Sequence, residues 1–138
     1  ADLARRCDAI EESYEFMLGF AARGVSGEGE GESVIQIRDY LRRFDAALTG
    51  LGESVAGFVE DLHLEPAAHY VAFIDVLDRD ARAAQAAIRL VLAQPSLSSQ
   101  LVDNLNASLH VRTVLTDLFL IDEVLKAHPR STKPANVD

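Results

Sequence analysis

Apolar residues recur along this chain at alternating steps of three and four, and the longest such run organises the rest. Starting from Val34, the steps land on Ile37, Leu41, Phe44, Leu48, Leu51, Val55, Phe58 and Leu62. A period near 3.5 marks an α-helix that presents a continuous seam to other helices; a strand would alternate every second residue. The spacing predicts one long helix over residues 34–62, and Ser33 with Gln36 stands at capping-box spacing at its start. Gly50, Gly52 and Gly57 each weaken such a helix by about 1 kcal/mol relative to alanine. The seam nevertheless keeps its phase from Leu48 through Leu51 to Val55, so the expectation is a continuous helix, kinked at most near Gly50 to Gly52. Ala47, Gly50, Ser54 and Gly57 lie beside the seam at heptad spacing, where small residues let a neighbouring helix come close.

The remaining seams supply partners for this one. Leu3, Cys7, Ile10, Tyr14, Met17 and Ala21 predict a first helix from Asp2, its cap, to the Arg23-Gly24 stop. The following GVSGEGEGE, Gly24 to Glu32, has glycine and like charge but no apolar period, and reads as a flexible connection. After a short turn, Pro66 opens a third helix reaching Gln94, with Tyr70, Phe73, Ile74, Leu77, Ala84, Ile88, Val91 and Leu92 on one side. Pro95 ends it, Ser96 can cap a fourth helix from Leu97 to Ala127, and His128-Pro129 stops that one. The pattern specifies an all-α, up-down-up-down four-helix bundle with long helices 2 to 4 and a shorter helix 1. Residues 1–128 form the single domain and 129–138 a polar, flexible tail.

The fourth helix carries more apolar surface than one packing stripe needs. At 100° per residue, one face holds Leu101, Val102, Leu105, Leu109, Phe119 and Leu120, and another holds Ala107, Val111, Val114, Leu118, Ile121 and Leu125. Large apolar patches rarely stay in water, so the second face is expected to meet another subunit. A two-fold homodimer is the commonest closed arrangement, which makes Val111, Val114, Leu118, Ile121 and Leu125 the expected interface.

Composition narrows the function classes. Charged residues make up 25% of the chain and apolar ones 49%, the balance of a folded domain. A formal net charge of -9 repels phosphate backbones, so nucleic acid is not an expected partner. No segment has the run of apolar residues that a membrane span requires, and the expectation from the first residues is a chain without a signal peptide. Cys7 is the only cysteine, which excludes an internal disulfide and fits a cytoplasmic location.

Two chemistries can be placed on these helices. Asp8, Glu11, Glu12 and Glu15 form an acidic ridge on the first helix, and carboxylates on facing helices hold iron or manganese in ferritin-like bundles. Glu11, Glu12 and Glu15 with His69 or His110 are the metal candidates, although the Glu-x-x-His pairs of such sites are missing. His110, flanked by Asp103, Asn106 and Asp117, could serve as the exposed histidine of a phosphotransfer module. In histidine-kinase dimerisation helices the arginine follows one residue later than Arg112 does here, a shift of about 100° around the helix. No phosphate loop, dinucleotide fingerprint, nucleophile elbow or zinc pattern occurs. The leading expectation is therefore a non-enzymatic helical interaction or accessory protein, acting as a homodimer or on an unidentified protein partner, without a cofactor. A metal-carboxylate bundle and phosphotransfer at His110 are the alternatives.

Overall fold

The computed structural model describes residues 2–25 and 31–128, and among these every regular element is helical. Six helices follow in order: α1 (Asp2–Ala22), α2 (Glu32–Leu48), α3 (Leu51–Asp61), α4 (Ala67–Leu92), α5 (Ser99–Ala107) and α6 (Leu109–Lys126). Most of the expected flexible connection, and the whole of the expected tail over 129–138, lie outside the described residues.

The long seam is buried as its period requires, but the helix that carries it is not continuous. Val34, Ile37, Leu41, Phe44, Leu48, Leu51 and Val55 are all buried, while Phe58 and Leu62 are half-buried. Each such side chain taken from water is worth about 1.5 to 3 kcal/mol. Between Leu48 and Leu51 the chain breaks: Thr49 is extended, and Gly50 takes φ 77°, a left-handed conformation that glycine adopts without a Cβ clash. The break ends α2 with carbonyls that no longer have intrahelical partners. The Arg6 guanidinium from α1 donates to Ala47 O at 3.1 Å and also to Thr49 O, which satisfies them.

A second break splits the expected fourth helix at Ser108. There the backbone turns extended with ψ 133°, and the Ser108 hydroxyl accepts from His110 N as the N-cap of α6. The same segment also starts later than expected, with Ser98 rather than Ser96 as cap, its hydroxyl accepting from Leu101 N at 3.1 Å. At the front of α2, Gly31 holds the cap position, and Ser33 lies inside the helix with its hydroxyl accepting from Arg23, so the capping box does not form.

Distant side chains pin the helices to one another. Ser99 donates to Phe20 O at 2.5 Å and accepts from Val25 N at 2.7 Å, tying the start of α5 to the end of α1. Arg38 donates to Leu92 O and Gln94 O, closing the C-terminus of α4 from α2. Gly52, not Gly57, is the site of close approach: a Cβ at Gly52 would lie 3.1 Å from the Cβ of Asp78, whereas one at Gly57 would meet nothing within 4 Å.

Candidate functional site

The Ser108 break decides what surface the molecule offers. Below it, α5 packs on α1; above it, α6 turns away and packs on α4. The first of the two expected faces is divided by the break, its α5 part turned inward and its α6 part left outside, while the second lies mostly inward on α6. Val102 and Leu105 are buried from α5, and Val111, Val114, Leu118 and Ile121 are buried from α6. Four of the five residues expected at a subunit interface are thus spent inside a single chain; only Leu125 stays partly exposed. What α6 leaves in water is a different set, Leu109, Phe119 and Leu120, at 73%, 63% and 54% exposure.

α6 packs on α4 rather than closely on α1, and a groove of about 390 Å³ lies between α1 and α6. That size falls within the range of small-molecule and side-chain pockets. Leu3, Ala4 and Cys7 line one wall from α1, Phe119 and Leu125 the other from α6, and Leu115, Leu118, Ile121 and Phe58 of α3 complete the apolar lining. Three carboxylates, Asp8, Glu11 and Asp122, stand at the rim with one cation, Lys126. Lys126 is held by Asp122 at 3.2 Å, and that hydrogen bond and charge raise its pKa above the ordinary lysine range. Burial pushes the half-buried Cys7 thiol up, and Asp122, Glu11 and Asp8 push it further. The thiol is thus kept neutral in a negative field, which is a poor setting for a nucleophile.

The residues singled out for chemistry are scattered. Glu11, Glu12 and Glu15 are exposed on α1, His69 is exposed in the first turn of α4, and His110 is exposed at the start of α6. Among the described residues no group of three histidine, cysteine, aspartate or glutamate side chains is placed to hold a metal ion. Of the five metal candidates only Glu11 belongs to the groove, where it is a rim charge. A second, larger hollow of about 680 Å³ lies between α2, α3 and α4, but it is shallow, and both its arginines are engaged: Arg82 by Asp78 at 3.0 Å and Arg89 by Asp45, outside the hollow, at 3.0 Å.

One titratable pair was not foreseen from the pattern. The Oδ2 of Asp117 on α6 is buried and has no hydrogen-bond partner. The carboxyl of Asp80 on α4 faces it. Burial first, then the neighbouring carboxyl of Asp80, push Asp117 up to about 7. Comparison with protein-family models, curated proteins and solved structures finds no match.

Proposed function

We propose that this protein is a helical interaction or accessory module without chemistry of its own, its six helices laid out as four antiparallel rods of which two are broken. The observation that carries the reading is the groove between α1 and α6, an apolar trough left open between two helices. Concave apolar surface of this kind is stabilised by burying a ligand's apolar groups. The experiment uses a neutral, environment-sensitive dye such as Nile red with the purified chain and with Phe119→Asp. Phe119 is 63% exposed, so the substitution leaves the core intact. Dye emission should rise with the parent chain and fall several-fold with the variant; equal emission from both removes the groove from consideration.

Self-association is supported by a separate observation, the exposed Leu109 and Leu120 on the outer side of α6. A homodimer formed there would use a strip beside the face expected from the sequence. Light scattering at micromolar concentration separates the cases: a mass of two chains that falls to one in Leu109→Asp/Leu120→Asp supports the dimer, and a mass of one chain from the start removes it.

A further inference from the structure

The groove has a length, a floor and a sign of charge, and together these select an occupant. Its α1 wall runs from Leu3 to Glu11, about 12 Å at 1.5 Å per residue, or a little over two helical turns. An α-helix with apolar side chains at i, i+3 or i+4 and i+7 covers the same span and presents its anchors along one line. Its two walls are helices, α1 and α6, with Phe58 of α3 between them. Around this trough stand Asp8, Glu11 and Asp122, with Lys126 already engaged by Asp122. The rim therefore favours cations beside the apolar face and disfavours anions. A second copy of the chain is a poor occupant on the same ground, since it brings a net charge of -9 of its own.

Resting on the groove reading above, we infer that the site takes a basic amphipathic helix from a partner protein, with its apolar residues seated between α1 and α6 and its lysines or arginines against Asp8 and Glu11. The interaction joins apolar burial, which sets residence time, to charge pairing at a wet rim, which sets selectivity and association rate.

Two synthetic probes test this: a 14-residue amidated peptide with leucines at i, i+3/i+4 and i+7 and lysines elsewhere, and a twin with glutamate in place of lysine. Fluorescence anisotropy at low salt should show the lysine peptide binding at least about tenfold tighter than its twin, with the difference narrowing as salt screens the rim. Asp8→Asn/Glu11→Gln should weaken the lysine peptide several-fold more than it weakens Nile red, and Phe119→Asp should weaken both. Equal binding of the two peptides, or indifference to Asp8→Asn/Glu11→Gln while the dye still binds, overturns the basic-helix assignment and leaves the groove reading standing. Lysine-peptide binding that survives Phe119→Asp places the peptide on the outer acidic ridge of α1 and also overturns it. A dimer that dissociates in Phe119→Asp shows that a second copy fills the groove, with the same consequence. Loss of dye binding by the parent chain defeats both readings together.

Discussion

α4 meets its neighbours in two opposite ways. Toward α2 its polar groups find complements: Gln85 donates to Asp45 O, Asp45 Oδ1 and Thr49 Oγ1 at 3.0, 3.1 and 2.8 Å, and Arg89 pairs with Asp45. Toward α3 the fit is steric, with Gly52 leaving room for the Cβ of Asp78. Toward α6, by contrast, Asp80 meets Asp117, carboxyl against carboxyl. The first side is specified by matched groups and close backbone approach, so added volume there should be destabilising. The second is held by apolar packing of Val111, Val114 and Leu118 in spite of its polar groups, so removing charge there should be stabilising.

The largest effect is expected on the close side. Gly52→Val places branched carbon where the Cβ alone already falls 3.1 Å from Asp78 Cβ, an atom fixed to the α4 backbone. α3 and α4 must separate, at a loss of about 2 to 3 kcal/mol. Urea unfolding reads this as a lower midpoint with little change in slope. A variant as stable as the parent would mean that α3 and α4 are not in close contact in solution.

The opposing side gives a smaller effect of the opposite sign, and it depends on pH. Asp117 has an ordinary value of 3.8 when unfolded and about 7 when folded, so the folded chain binds its proton more tightly. Its stabilising contribution is complete below about pH 4, declines as pH rises toward 7 and is gone above that. A shift of about three units corresponds to about 4 kcal/mol, but the group is partly solvated, which reduces the expected effect to about 1 to 2 kcal/mol. Asp117→Asn removes the ionisation and keeps a donor for Asp80. Its melting temperature should exceed the parent's at pH 8 and match it near pH 4; parallel curves across that range would show that the Asp117 carboxyl is not raised in the folded chain.

The sequence made the seams legible because a period of 3.5 survives almost any local perturbation. Val34 through Val55 are buried as the spacing predicts, even though the helix is broken in the middle. The break at Gly50 hid for the same reason: one left-handed residue after an extended Thr49 returned Leu51 to the seam, so the phase that argued for continuity was kept by the turn itself. The Ser108 break had no glycine or proline to announce it. Its one signal was the surplus of apolar surface on the expected fourth helix, part of which is the buried face of α5 and part of which, Leu109, Phe119 and Leu120, α6 leaves exposed. The groove was beyond reach, since it is a space between α1 and α6. The guanidinium caps from Arg6 and Arg38 were also beyond reach, because a contact across 41 or 54 residues leaves no local pattern.

The smallest expected effect isolates the α3–α4 approach from the general liability of glycine in a helix. Gly52 and Gly57 lie five residues apart on α3, about 140° around its axis, so one can face α4 while the other faces water. Gly57 is exposed, and a Cβ there meets nothing within 4 Å. Gly57→Ala should therefore raise stability by about 0.5 to 1 kcal/mol, because alanine has fewer unfolded conformations to lose and the helical backbone accepts it without strain. Measured beside Gly52→Val in the same urea series, it gives a shift of opposite sign from the same residue type on the same helix. If both substitutions lowered the midpoint, the sensitivity would lie in α3 as a helix rather than in its contact with α4. The steric half of the matched side of α4 would then lose its basis, and the Gln85 and Arg89 bonds to α2 would be all that distinguishes that side from the opposed one.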